Sequence, residues 1–376
     1  MTESTPTQAA PHAVTGILDV HDRDAFIRVR GYGPSDDDVR LGPDQVRRHH
    51  LRPGDHISGL VADNGRKRGT LTAVHEVNGA APGKRPAFAD LVPLFPSRRL
   101  YMETAADEPI GRVVDLVAPV GKGQRGLIVA RPNTGKTTIM KTLARAVATN
   151  HPECHLMLVL IDERPEEVTE MRRAVRGAEI VASTFDHAPK RHTAVAELAI
   201  ERAKRLVESG RDVVVILDSL TRLARAYNLA SPGGGRVLTG GLDAAALYPP
   251  KKFLGAARAI EHGGSLTILA SALIDTGSRL DEVIFEEFKG TGNLELRLDR
   301  ALSDHRVYPA VDIQASGTRR EDLLFTPEEL RATSLLRRAL SSLDTQSAME
   351  QLLSRLKETP SNAAFLNQGA TARKAA

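Results

Sequence analysis

At 376 residues, with 41% apolar content, the chain exceeds one ordinary hydrophobic core, and two domains are expected. No apolar run approaches a membrane span, Met1–Ala13 lacks the basic start and apolar core of a signal peptide, and one cysteine, Cys154, excludes a disulfide framework or cysteine-clustered metal site. The 51 Lys and Arg against 47 Asp and Glu exclude a histone-like binder driven by bulk charge, so any contact with an anionic partner depends on local placement of cations.

In chain order, residues 1–13 read as a polar, disordered tail. A cytoplasmic protein with a buried, inert Cys154 thiol is expected. Residues 14–92 read as all-β: short alternating runs such as Gly16–Val20, Ala25–Val29, His56–Val61 and Gly69–Val74 are separated by Gly, Pro and Asp clusters. That pattern predicts a small closed barrel of the oligonucleotide-binding (OB, cold-shock-like) kind. Arg28, Arg30, Arg40, Arg47, Arg48, Arg66, Lys67 and Arg68 are scattered through it, with Phe26 and Tyr32 as the main candidates for base stacking. A structural cap with solvated arginines explains the same composition. Residues 93–110, with three prolines in Pro93–Pro109, read as an extended, stiff linker.

Residues 111–365 read as an α/β domain. Strands are predicted at Gly126–Ala130, His155–Ile161, Glu179–Ala182, Asp212–Leu217 and Leu266–Ser271. Helices are predicted at Thr137–Asn150, Pro165–Arg176, His192–Ser209 and Pro250–Glu261. In the third helix Val195, Leu198, Ala199, Arg202, Leu206 and Val207 share a stripe. Near-continuous Val, Ile and Leu runs predict parallel strands covered on both faces. Thr326–Lys357 reads as helical and residues 366–376 as a disordered tail.

The chemistry centres on Gly126–Thr138, read as strand, turn and helix. Backbone N–H groups around Gly135 and the helix N-terminus suit β- and γ-phosphates. Lys136 supplies a cation to the same oxygens and Thr137 a hydroxyl for Mg²⁺. Ala130 stands where the first Gly of G-x-x-x-x-G-K-[ST] usually stands. Val213–Leu217 ends in Asp218, the arrangement that places a carboxylate beside the phosphate loop to hold the metal, partly through water. A second strand ends in Asp162-Glu163-Arg164, with Glu163 placed as general base and Arg164 beside it. Downstream, Ser231–Gly241 and Asp275–Arg279 read as Gly-rich basic loops suited to a phosphate backbone, though surface turns or lids read the same way. Ser316–Arg320 places arginines after a Gly turn, as an arginine finger requires.

Three blocks, Ile161–Met171 (IDERPEEVTEM), Asp218–Asn228 (DSLTRLARAYN) and Glu286–Asn293 (EEFKGTGN), resemble the bacterial transcription termination factor Rho family. The likeness runs from about Thr15 to about Leu352. It implies a homohexameric ring with a RecA-like ATPase core and an N-terminal RNA-binding OB barrel. The implied activity is RNA-dependent ATP hydrolysis that drives 5′-to-3′ movement on nascent RNA and releases it from RNA polymerase, with Nus-type elongation factors as further partners and no membrane. Carried over by the resemblance, Lys136 and Thr137 are the phosphate-loop pair, Glu163 the base and Asp218 the second acid. Arg319 is the finger across the subunit boundary and Arg306 a further cation there. Gly121, Lys122, Gly123, Gln124, Arg125 and Gly126, then Asn133, Thr134, Gly135 and Thr138, with Arg164, match nucleotide-contacting segments, and Tyr308 matches an aromatic near the adenine. Arg236 and Arg279 match the two RNA-gripping loops of the channel.

The chain departs from the family in places. Arg131, Asn133 and Thr134 replace Pro, Lys and Ala in the phosphate loop, and Arg236 replaces Lys. Of the stacking aromatics only Phe26 is kept, Asp24, Arg40 and Arg68 standing at the matching positions. This predicts backbone binding with weakened pyrimidine preference. A nucleotide-gated RNA-binding regulator without translocation is the alternative, and a rotary ATP synthase subunit explains neither barrel nor pore loops.

Overall fold

The computed structural model of the protein describes residues 11–372 except 22–23, 63–68 and 232–236. The barrel comprises β1 (His12–His21), β2 (Asp24–Arg28), β3 (Val39–Leu41), α1 (Pro43–Arg48), β4 (His56–Ala62) and β5 (Thr70–Val77), closed in the order β1-β2-β3-β5-β4. Alternation decides which side chains enter: along β4, Ile57, Gly59 and Val61 point inward, meeting Leu18, Ile27, Leu41 and Leu71. Gly59 is required because a Cβ there would lie 2.1 Å from the Ala73 carbonyl oxygen. β1 starts at His12 and pairs it with Val61, so the expected N-terminal tail to residue 13 ends earlier.

Past the barrel come β6 (Pro93–Leu94), β7 (Arg99–Leu100), α2 (Pro109–Val117) and β8 (Val120–Gly121). The α/β repeat follows as β9 (Arg125–Ala130), α3 (Lys136–Asn150), β10 (His155–Glu163), α4 (Pro165–Ala174), β11 (Glu179–Thr184), α5 (Pro189–Glu208), β12 (Asp212–Asp218) and α6 (Leu220–Ala230). Beyond β13 (Val237–Leu238) and β14 (Leu242–Asp243) lie α7 (Tyr248–Gly255), β15 (Arg258–Ile260), β16 (Ser265–Leu273), α8 (Arg279–Lys289) and β17 (Leu294–Arg297). The chain closes with α9 (Arg300–Asp304), β18 (Gly317–Thr318), α10 (Pro327–Leu340), α11 (Thr345–Lys357) and α12 (Asn362–Ala372).

The main sheet has the order β11-β10-β12-β16-β9-β17-β18, parallel through β17. Successive β10 residues bury into opposite layers: Met157, Val159 and Ile161 pack with α5 and α6, while Leu158 and Leu160 pack with α3 and α4. Burial on both faces is why these strands read as continuous apolar runs.

Several sequence expectations shift. The segment 93–110 is extended, yet it is laid against the α/β domain: β6 pairs with β15, β7 with β8, and Leu100 and Met102 are fully buried. α7 ends at Gly255, and β15 takes the residues read as its last turn. The helical stretch after Thr326 breaks at residues 341–344, where Asp344 caps α11. The tail expected from residue 366 is helical to Ala372.

The barrel is clamped to α5. Both Glu208 oxygens accept from Arg52 (2.7 and 3.1 Å), and one also accepts from the Phe88 N–H at 2.7 Å. Arg202 donates to Asn78 at 2.8 Å. Gly54, at φ +83, presses its backbone onto α5, where a Cβ would meet the Arg202 nitrogen at 2.4 Å. Tyr32 belongs here: it is buried and donates to Glu179 on β11, so it is no stacking platform for a base.

Candidate active site

The parallel strands deliver their C-terminal ends to one edge of the sheet, and the phosphate loop leaves β9 there. Asn133 at φ 64 and Gly135 at φ 85 bend the turn sharply enough for α3 to start at Lys136. α3 has no side-chain N-cap, so its first N–H groups face the cleft unclaimed by a capping oxygen. A cleft of about 190 Å³ is lined by Arg131, Pro132, Asn133, Gly135, Lys136, Thr137, Thr138 and Leu273. The loop is braced from behind: the Thr134 hydroxyl donates to the Arg131 carbonyl at 2.8 Å, and Ser303 donates to the Asn133 carbonyl at 2.9 Å. Thr134 is buried by that role, so its side chain is a brace rather than a phosphate contact. Arg131 pairs with Asp275, which joins the phosphate loop to the loop before α8.

Beside the loop stands a four-member charge cluster. Lys136 bonds Asp218, and the Ser271 hydroxyl on β16 donates to the same carboxylate at 2.8 Å. Lys136 Nζ lies 3.7 Å from Glu163 Oε1, and Arg222 Nη1 lies 3.1 Å from Glu163 Oε2. Glu163 is 2% exposed, and neither carboxylate oxygen has a hydrogen-bond donor of good geometry among the described residues. Burial, with Asp218 adding repulsion, pushes its carboxyl above the ordinary range, against the pull of Lys136 and Arg222. A buried carboxylate with open acceptor sites beside a phosphate cleft is placed to take a proton from water. Arg222 was not among the expected site residues. Its signal was its place four residues past Asp218, in the first turn of α6, which the strand end carries back over Glu163.

Arg164, expected beside Glu163 and the nucleotide, is exposed at the start of α4 and pairs with Glu167 at 4.0 Å. Tyr308 is half exposed beside the loop: a Cβ on Gly135 would sit 3.8 Å from its ring, and its hydroxyl lies 3.0 Å from Ser303 Oγ. Arg306 is exposed two residues away, at φ 60.

Arg319 lies at the opposite edge. Thr318 pairs with Leu294, and Leu294 with Gly126, near the start of β9. At roughly 3.3 Å per residue, β9 separates that level from its own phosphate loop by about 15 Å. The same registers correct the reading of residues 121–126, which lie at this far edge and do not line the phosphate-loop cleft. Gly121 is in β8; Lys122 pairs with Glu153 and Asp212; the Gly123 N–H bonds Thr267; Gln124 donates to Asn293; Arg125 caps the carbonyls of Thr291 and Ala257; and Gly126 opens onto Leu269. Their contacts brace strand starts.

In the barrel, Phe26 is half-buried on β2 and pairs in register with Arg40, which is half exposed and tied to Asp24 at 3.0 Å. Arg28 is buried between Asp19 and Asp38, bonding both, so it is a structural ion-pair centre rather than a cation offered to a phosphate. Arg68 and Arg236 lie outside the described residues. Arg279 is exposed at the start of α8, and Gly240, at φ +80, packs so closely that a Cβ would lie 2.7 Å from the Leu280 nitrogen. The Gly240 turn therefore abuts the start of α8. Cys154 is half-buried, and burial pushes its thiol up to about 11, leaving it protonated.

The matches with known proteins follow this division. Residues 14–83 match the Rho termination factor RNA-binding domain, and 111–318 the ATP synthase alpha/beta family nucleotide-binding domain. A transcription termination factor Rho of Streptosporangium roseum is 60% identical over 356 residues, covering 94% of this chain and 91% of that protein. The chain belongs to the transcription termination factor Rho family. Members from Streptomyces lividans (60% identical) and Mycobacterium tuberculosis (54%) each match 94% of this chain, which spans 51% and 61% of their lengths. Among solved structures, a type III secretion system ATPase of pathogenic bacteria shares the fold at a TM-score of 0.61 and 21% identity, covering 81% of this chain and 94% of its own. No helix among the described residues is long and apolar enough to cross a membrane.

Proposed function

We propose that this protein is an RNA-dependent ATPase that works as a homohexamer, moves 5′-to-3′ along nascent RNA and releases it from RNA polymerase to end transcription. One observation carries the reading. The Lys136, Glu163, Asp218 and Arg222 cluster stands at one edge of the sheet and Arg319 at the other, so one subunit holds base and phosphate loop but no finger, and a neighbour's Arg319 completes the site. Arg319 acts on the transferred phosphoryl of the adjacent subunit; Arg306, beside Tyr308, contacts nucleotide or neighbour; and Tyr308 takes the adenine.

The residues fit Mg²⁺. Thr137 and Asp218 present hard oxygens beside the cleft, and no group of three or more His, Cys, Asp or Glu among the described residues could hold a metal without the phosphates. Bound there, Mg²⁺ would neutralise charge on the β- and γ-phosphate oxygens. Glu163 orients the attacking water and accepts its proton, Lys136 exchanges Asp218 for phosphate oxygens, and the N-terminus of α3 holds the β-phosphate. The barrel supplies the first RNA contact through Phe26 and Arg40, and Arg68 is a further cation for the strand. Arg236 and Arg279 form the channel grip.

The test is ATP hydrolysis by wild type and Glu163→Ala with and without single-stranded RNA. Stimulation of wild type, abolished in the variant, is expected. Absence of stimulation by any RNA refutes the motor reading and leaves a nucleotide-gated RNA binder.

A further inference from the structure

Glu163 faces the cleft because the strand that carries it is irregular. β10 pairs with β11 through Ile161 and Ser183, then shifts so that Glu163 opposes Thr184, leaving Asp162 over, at φ 57. In a regular strand Glu163 would share a face with Ile161, which is fully buried against the layer containing α5. The extra residue turns the carboxylate over the strand end, towards Lys136.

That bulge is held from two sides. Arg222 donates to the Asp162 carbonyl. On the other side stands His192, in the first turn of α5 and 4% exposed. Its Nδ1 lies 2.8 Å from Ser183 Oγ, and its Nε2 lies 3.7 Å from Asp162 Oδ1. We propose that His192 is a positioning residue for hydrolysis: bonded to Ser183 on β11, it holds the Asp162 bulge and so fixes the direction in which Glu163 presents its carboxylate.

Asp162, 3.7 Å from Nε2, draws the ring proton to that nitrogen in a charge–dipole contact longer than a hydrogen bond, and in that tautomer Nδ1 accepts from the Ser183 hydroxyl. Burial holds the imidazole below its ordinary range although Asp162 pulls the other way, so the ring acts neutral, by direction rather than by charge. A left-handed φ on a non-Gly residue is sparsely populated and persists where its surroundings over-determine it. Here Ser183, His192 and Arg222 do so.

The inference rests on Glu163 being the base, and the experiment separates the two. ATP turnover of the full chain with saturating single-stranded RNA is measured for His192→Phe, His192→Gln, Ser183→Ala and Glu163→Gln. His192→Phe keeps a ring of similar shape without nitrogens, and His192→Gln returns an N–H near the Nε2 position. The expected result is a kcat about tenfold lower in His192→Phe with the KM for ATP within about twofold of wild type, a loss of similar origin in the 10²–10⁴ range of a misplaced base but only partial. His192→Gln recovers most of it, and Ser183→Ala falls in the same direction by less. A His192→Phe kcat within twofold of wild type overturns the proposal, as does a KM that rises in step with the loss or equal damage in His192→Gln. Should His192→Phe fail to fold, Ser183→Ala decides by the same kcat-against-KM criterion. If Glu163→Gln hydrolyses ATP at the wild-type rate, the base assignment falls and this inference with it; if it is inactive while His192→Phe is unimpaired, this inference alone falls.

Discussion

Replacing Glu208 tests how the barrel is fixed to the α/β domain. Its side chain is 3% exposed and serves Arg52, the Phe88 N–H and Arg205, the last at 3.0 Å. Glu208→Ala leaves the Phe88 N–H without an acceptor, which costs about 1–3 kcal/mol, and breaks a buried pair, which costs about 3–5 kcal/mol. These losses overlap, Arg52 is a quarter exposed and recovers water, and Arg205 keeps Glu201 at 3.4 Å. The net expectation is therefore about 3 kcal/mol, at the low end. Glu208→Gln keeps an acceptor and sheds the desolvation of a charge. Because burial pushes this carboxyl above its ordinary range despite both arginines, that variant is expected within about 1 kcal/mol of wild type. A carboxyl raised in the folded state loses its stabilising contribution as pH rises through that value, so wild type is expected to lose stability relative to Glu208→Gln between pH 5 and pH 7.5. Urea unfolding followed by far-ultraviolet circular dichroism measures this, since the chain has no Trp. A loss below about 1 kcal/mol in Glu208→Ala would refute the reasoning, because it would mean a solvated contact and no buried clamp.

Turnover is expected to fall as pH drops through a midpoint above 4.5, the ordinary glutamate value, because Glu163 works ionised and its carboxyl is raised; a pH–rate profile of kcat checks the limb. Arg319→Ala is expected to lower hydrolysis about 10³-fold or more with nucleotide affinity retained, and equal mixing with an active-site-dead Glu163→Gln chain is expected to restore some activity, each supplying what the other lacks. Arg28→Ala is expected to melt the barrel by exposing the Asp19–Asp38 pair, whereas Arg40→Ala leaves stability within about 1 kcal/mol and weakens RNA binding; thermal melts beside RNA titrations separate them. Gly240→Ala is expected to lower RNA-stimulated hydrolysis while leaving the RNA-free rate unchanged, since at φ +80 its Cβ drives the turn away from Arg279 and Leu280 at the start of α8.

Features carried by contiguous residues were legible in the sequence. The strand ending in Asp218 and the loop at Lys136 and Thr137 follow from apolar runs and turn chemistry within a dozen residues. The barrel strands follow from alternation. What escaped reading comes from partners distant in the chain. Arg28 looks like a solvated arginine on a strand, and only the register bringing Asp19 and Asp38 to it shows a buried ion pair. Tyr32 reads as a stacking aromatic until β11 presents Glu179. Arg222 and Ser271 reach the cluster, and His192 the Asp162 bulge beside it, from three elements whose convergence no local pattern encodes. Residues 121–126 were assigned to a nucleotide by likeness of sequence, but strand polarity puts them at the far end of β9.

Helix α5 is twenty residues long, about 30 Å of continuous rod. One end carries the imidazole beside Asp162, and the other is bolted to the barrel through Arg202 and Glu208. A barrel that tilts against the sheet must therefore either shear those bolts or swing the rod, and the far tip of the rod lies against Asp162, next to Glu163 in the chain.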